Sequence, residues 1–198
     1  LDARDRFPEL GDALPRRGAR LPRLVARFSL RRLGWSFEGE LPNLAKAVII
    51  VAPHTSNWDF VLGITAMFAL GLRVSWLGKH TVFRPPFGAL FRWLGGIAVD
   101  RSARTGVVDQ MVEALRSRDR LILGLAPEGT RRQVTRWKTG FYHIAHGAGV
   151  PVVPVTFDYP RRVVRFGAPI APSGDFAADM KRLGAFFGLD PDALQAPT

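Results

Sequence analysis

The chain reads as an α/β protein, a single domain whose mostly parallel or mixed central sheet is flanked by helices. Three observations predict this. The apolar runs "AVIIVA" (47–52), "LILGLA" (121–126) and "VPVVPVTF" (150–157) have the length and β-branched content of buried strands. Helix-length segments separate them, the arrangement that favours parallel strand pairing. Polar motifs directly follow two of the runs, where open α/β sheets gather their ligands beyond the carboxyl ends of strands.

The elements follow in order. Residues 1–21 mix charges with Pro8, Gly11 and Pro15 and read as a loose lead-in. "LPRLVARFSLRRLG" (21–34) places Leu24, Val25, Phe28 and Leu33 on one side of a helix, with Arg23, Arg27, Arg31 and Arg32 largely elsewhere. Pro22 in its first turn and Gly34 after its end are start and stop signals. This basic amphipathic helix suits a membrane interface or ordinary packing on the domain; both readings stand. Residues 1–34 are therefore set apart as an N-terminal unit from a main domain at 35–198.

"WSFEGE" (35–40) alternates as a strand does, and 47–52 is a buried strand. Residues 58–70 read as a helix, 74–77 as a strand, 87–95 as a helix and 96–99 as extended. "GVVDQMVEALRS" (106–117) is amphipathic, 121–126 a strand, 137–147 a helix and 150–157 a strand. Residues 161–167 alternate again, and 175–188 close the chain as a helix.

Composition narrows the function classes. With 198 residues, 47% hydrophobic and 23% charged, the chain is long and apolar enough to bury a core. The absence of Cys excludes a disulfide framework, a thiolate zinc site and a cysteine nucleophile. A formal net charge of +11 points to an anionic partner: nucleic acid, an anionic membrane surface or a phosphorylated small molecule. Only Lys46, Lys79, Lys138 and Lys181 among the 28 basic residues are lysines. Arginine suits bidentate phosphate binding, although a GC-rich genome biases composition the same way. No nucleic-acid recognition motif or basic stripe with interleaved aromatics appears, so nucleic acid is not expected as a partner. The longest clean apolar helix candidate, 60–72, is too short to span a bilayer, and glycines with Pro151 and Pro154 break 139–157. The chain starts at Leu1 without Met, which leaves a lost signal or anchor open.

Three constellations could carry chemistry. In "APHTSNWDF" (52–60), His54 and Asp59 would point about 140° apart on one regular helix, at about 100° per residue. They meet only if His54 sits in a strand-to-helix loop and Asp59 in the first helical turn, with Thr55, Ser56 and Asn57 as capping residues. Asp59 would then fix the imidazole tautomer and leave one nitrogen free as a base. The alternative is a polar helix cap with an incidental histidine. No nucleophile elbow or metal-spaced histidine pattern appears, and no metal is expected from His143 and His146 without a third ligand. A dyad that activates an external hydroxyl or water remains.

The second constellation, "APEGTRR" (126–132), presents Glu128, Gly129, Thr130 and Arg131 after a buried strand. It forms either a phosphate-ester cradle, with Glu128 orienting Arg131 or binding an acceptor hydroxyl, or an exposed charged turn. In the third, "GGIAVDRS" (95–102), Arg101 emerges at a strand's carboxyl end, and Lys79 ends another strand in "LGKH" (77–80).

These segments resemble the glycerolipid acyltransferase family, of the lysophospholipid or 1-acylglycerol-3-phosphate acyltransferase type. Its four ordered blocks match "HTSNWD" (54–59), "GGIAVDR" (95–101), "EGTR" (128–131) and "VPVVPV" (150–155), over about residues 35–160. The resemblance implies acyl transfer from an acyl thioester, on coenzyme A or acyl carrier protein, to a lipid hydroxyl, without an acyl-enzyme or another cofactor. It makes His54 the general base and Asp59 its support. Arg101, Glu128, Gly129, Thr130 and Arg131 would bind the acceptor's phosphate or head group, and "VPVVPV" would line the acyl or acceptor pocket. Lys79 or backbone amides are candidate donors to the tetrahedral oxyanion.

Pro53 before the histidine, Arg132 after the third block and "WKTGFYHIA" (137–145) depart from common family patterns and suggest a divergent bacterial subgroup. The acceptor is then 1-acylglycerol-3-phosphate or a lyso-aminolipid, glycolipid or pigment precursor. Thioester hydrolysis and non-catalytic lipid binding are the rival functions. The expected location is peripheral, on an anionic membrane surface at the cytoplasmic face of the inner membrane, through residues 21–34.

Overall fold

The periodicity of the strands decides the layering. In the computed structural model, which describes residues 7–54, 56–99, 106–128 and 137–189, β2 (Lys46–Val51) sends Ala47 and Ile49 into one apolar cluster and Val48 and Ile50 into another. β5 (Leu121–Leu125) divides Ile122 from Leu121 and Leu123 in the same way, and β6 (Val152–Asp158) divides Val153, Val155 and Phe157 from Val152. Alternate side chains point to opposite faces of a strand, so these runs are apolar throughout because both faces are covered.

The sheet has seven strands in the order β1-β7-β6-β2-β5-β3-β4. β1 is Ser36–Glu38, β3 Val74–Lys79, β4 Gly96–Val99 and β7 Val163–Phe166. All pairings are parallel except β6 with β7. The result is one α/β domain with a mixed sheet, as the strand–helix alternation requires. Helices α1 (Arg20–Arg32) and α2 (Asn57–Leu70) cover the first face. α4 (Val107–Arg116), α5 (Gly140–Ala148) and α6 (Phe176–Phe187) cover the second, and α3 (Gly88–Trp93) leads into β4.

Most element positions match the periodicity, with two differences. The segment 137–139 is an entry strap whose Trp137 packs into the second core, so α5 begins only at Gly140. His80–Phe83 forms a short 3₁₀ turn after β3 that apolar spacing does not signal.

α1 uses two faces. Ala26 and Leu30 are buried, and Arg27 Nε donates to the Ala69 carbonyl at the C-terminal end of α2. Leu21, Leu24, Val25 and Phe28 face outward and exposed. Among the described residues, no helix is long and apolar enough to cross a membrane.

Candidate active site

The chain leaves β2 at Val51, passes His54 and enters α2 at the N-cap Ser56. Ser56 Oγ accepts the N–H of Trp58, and Asp59 Oδ2 accepts the N–H of Ser56 at 2.8 Å, closing a reciprocal capping box. The cap thus fixes a carboxylate in the first turn. The same Oδ2 lies 3.6 Å from His54 Nδ1. His54 in the loop and Asp59 in the helix is the geometry that their five-residue spacing demands. The separation exceeds an ordinary hydrogen bond, and contacts of this type shorten in substrate complexes.

Asp59 is 2% exposed, so its remaining oxygen needs a donor. Tyr159, just beyond the end of β6, supplies it: the phenol donates to Asp59 Oδ1. Trp35 packs edge-on against the Tyr159 ring at 5.3 Å. Burial, together with the donated hydrogen bond and the charge of Asp59, pushes the Tyr159 hydroxyl well above its usual pKa, so it remains a donor.

Glu128 closes the opposite side. It is 7% exposed, and its Oε2 accepts the backbone N–H of His54 at 2.9 Å. Burial raises the carboxyl above its usual pKa; the His54 N–H opposes that rise and the Asp59 charge adds to it. Glu128 therefore ties the turn after β5 to the histidine loop, a contact between residues 74 positions apart.

His54 and Asp59 line a cavity of about 870 Å³ between α2 and the first face of the sheet. Its wall is apolar: Phe60, Gly63, Ile64 and Met67 from α2, and Ile49, Val51, Val155 and Phe157 from the strands. Leu70, Leu72 and Val74 line the end remote from the dyad. Asp59 and Leu70 are eleven positions apart in α2, which puts the two ends about 16 Å apart along the helix. Of the "VPVVPV" block Val155 lines this cavity; Val153 packs in the first core without lining it, and Val150 and Val152 belong to the second core.

Lys138 also lines the cavity, held by its own N–H on the Pro127 carbonyl at 2.7 Å. Lys79 is the exposed last residue of β3 and is not among the lining residues. Arg101, Gly129, Thr130 and Arg131 lie outside the described residues. His143 and His146 sit on the exposed side of α5, where Tyr142 stacks on His146. Among the described residues no group of three or more His, Cys, Asp or Glu could hold a metal ion.

Tyr159 and Lys138 did not emerge from sequence reasoning. Each carried a weak signal: an aromatic residue immediately beyond a buried strand on the ligand-bearing edge, and a lone lysine before an apolar helix. Neither identifies its partner without the tertiary fold.

Comparison with known proteins gives a consistent picture. Residues 35–158 match the family model described as Acyltransferase. The chain is 33% identical over 144 residues to a 1-acyl-sn-glycerol-3-phosphate acyltransferase of Haemophilus influenzae, covering 67% of this chain and 59% of that protein. It is 35% identical over 114 residues to the protein of the same name from Escherichia coli, covering 54% and 45%. The chain thus spans only about half of the length of these relatives. Among solved structures, it resembles the 1-acyl-sn-glycerophosphate acyltransferase PlsC of Thermotoga maritima, with a TM-score of 0.58 and 17% identity over 87% of this chain and 77% of that one. At that identity the likeness establishes the fold.

Proposed function

The chain belongs to the acyltransferase family, and we propose that it moves a fatty acyl group from an acyl thioester, on coenzyme A or acyl carrier protein, to the hydroxyl of a lysophospholipid-like acceptor. The acceptor named for its relatives is 1-acyl-sn-glycerol-3-phosphate. The observation that carries the proposal is the joining of a His–Asp pair to an apolar cavity: His54 and Asp59 at one end, aliphatic and aromatic walls beyond them.

In the proposed reaction, the fatty chain lies in the cavity and its thioester carbonyl sits beside His54. Asp59 faces Nδ1, so Nε2 takes the proton of the acceptor hydroxyl as its oxygen attacks the carbonyl carbon. A positioned base of this kind contributes on the order of 10²–10⁴ in rate. The tetrahedral intermediate collapses with cleavage of the carbon–sulfur bond, and the imidazolium returns its proton to the leaving thiolate. The thioester is already activated, so no enzyme nucleophile enters. Lys138, in the cavity, and Lys79 are the cationic candidates for steadying the oxyanion or the acceptor phosphate; Arg101 and Gly129 to Arg131 complete the proposed head-group site.

Attachment to an anionic bilayer, at the cytoplasmic face of the inner membrane, is part of the same proposal. The exposed stripe Leu21, Leu24, Val25 and Phe28 beside the arginines of α1, and the net charge of +11, support it.

The test is a transfer assay with a panel of lyso-lipids and both donor types, with products identified by mass spectrometry. His54→Ala should abolish transfer while lipid binding persists. Undiminished transfer by that variant would sink the base assignment, and release of free fatty acid alone would identify a thioester hydrolase instead.

A further inference from the structure

A second cavity, of about 480 Å³, lies between the lead-in segment, the start of α1 and the C-terminal end of α2, at the end of α2 remote from His54. Its lining includes Arg16, Arg17, Arg20 and Arg23, with Glu9 as the single carboxylate.

The occupations of these arginines differ. Arg16 is paired with Asp12 at 3.2 Å and with the Leu10 carbonyl. Arg17 lies over the Phe68 ring and donates Nη1 to the Trp93 carbonyl, but its Nε is buried with no hydrogen-bond partner. Arg23 rests against Gly71, where the C-terminal partial charge of α2 attracts it in part. Arg20 and Arg23 pair with no carboxylate among the described residues. Arg73 adds a further like charge beside Arg17, which, after burial, holds Arg17 below the usual arginine range.

We infer that this arginine-lined cavity is a binding site for a phosphate-ester anion, supplied by the head group of a membrane lipid. Concentrated like charge around a concave site costs energy that a bound anion relieves, and guanidinium groups suit phosphate by bidentate donation. The position on α1 selects the source. Four residues apart on a helix, Arg20 and Leu24 lie about 40° from each other. When the exposed stripe of Leu21, Leu24, Val25 and Phe28 enters the acyl region of a bilayer, Arg20 is therefore at head-group level. The inference rests on the membrane-facing part of the proposed function and not on its catalytic part.

The discriminating experiment is vesicle co-sedimentation of the full chain with phosphatidylcholine vesicles and with vesicles containing phosphatidylglycerol. Arg20→Gln/Arg23→Gln is compared with Arg31→Gln/Arg32→Gln, which removes the same charge from the last turn of the same helix. Diffuse attraction to an anionic surface is worth about fivefold in affinity per arginine and weakens both variants alike. A discrete site requires the Arg20/Arg23 variant to lose at least about tenfold more, with soluble glycerol phosphate competing against wild-type binding and not against that variant. Equal losses in the two variants would overturn the site. If inorganic phosphate binds the cavity with equal strength while phosphatidylglycerol confers no preference, the lipid source is overturned. Binding is read without turnover, so failure of the acyltransferase proposal would leave these outcomes unchanged.

Discussion

Tyr159 donates its hydroxyl to Asp59 Oδ1 from 100 residues away, while Oδ2 of the same carboxylate faces His54 Nδ1. The phenol and the Ser56 N–H together fix the carboxylate from two directions. In the proposed mechanism Tyr159 is a positioning residue that acts through Asp59. Tyr159→Phe removes one donor to the carboxylate and concentrates the remaining negative charge toward the imidazole. An imidazolium beside a stronger anion is stabilised. The acid limb of kcat/KM should move to higher pH, with kcat reduced several-fold and donor KM unchanged. A Tyr159→Phe enzyme with an unmoved limb and full kcat would show that the phenol only packs against Trp35.

Glu128 offers a separate test, because its recorded contact is to the backbone of the histidine loop. Glu128→Gln keeps an oxygen for the His54 N–H, whereas Glu128→Ala orphans a partly buried donor at a cost of about 1–3 kcal/mol. The alanine variant should melt earlier and lose at least tenfold in kcat, while glutamine should retain most of both. A large rise in acceptor KM for Glu128→Gln, without a change in melting, would assign the carboxylate to the acceptor hydroxyl.

These contacts mark where sequence reasoning reaches and where it stops. The His54–Asp59 geometry is local: a strand end, an N-cap and a first turn fix it within six residues, so the spacing shows where the two residues must sit in order to meet, though not that they do. The two cores are legible because Val48 and Ile49 must face opposite sides of β2. Tyr159 and Glu128 reach the dyad only because β6 and β5 flank β2 in the sheet. That strand order is set by crossover connections and not by any local pattern. The cavity is likewise a gap between α2 and the sheet, and composition records the residues around a gap but not the gap.

A buried carboxylate outside the site contributes to acid stability. Asp179 on α6 is 1% exposed and accepts the Ser173 N–H at 2.7 Å, the Ser173 hydroxyl and the Tyr142 hydroxyl, each at 3.0 Å, with Arg182 nearby. Burial alone would raise its pKa, but these donors and the arginine charge hold it below the ordinary value. A folded pKa below the unfolded value of about 3.9 stabilises the fold above that pH, and the contribution is lost as pH falls through the folded value. Asp179→Asn should therefore lower Tm at neutral pH and flatten the acid arm of the Tm–pH curve. Glu128, with a raised pKa, contributes with the opposite sign: its penalty grows as pH rises from about 4.5 through its folded value. A steeper acid arm in Asp179→Asn would contradict the assignment.

Gly63 separates the role of the cavity from the stability of the helix that lines it. It sits one turn beyond Asp59 in α2, and a Cβ built there would meet only the edge of Phe157, at 3.6 Å. A larger side chain therefore fits at its base and projects into the proposed acyl path. Replacing a glycine in a helix interior by leucine favours the helix by about 0.8 kcal/mol, and filling an apolar void adds to that. Gly63→Leu should raise Tm by a few degrees. Long-chain acyl donors should lose at least tenfold in kcat/KM, while donors of only a few carbons, which need only the end near His54, keep most of theirs. A more stable protein with undiminished long-chain transfer would place the acyl chain elsewhere. A uniform loss across chain lengths would instead implicate the dyad, because Gly63 lies on the same helix face one turn from Asp59.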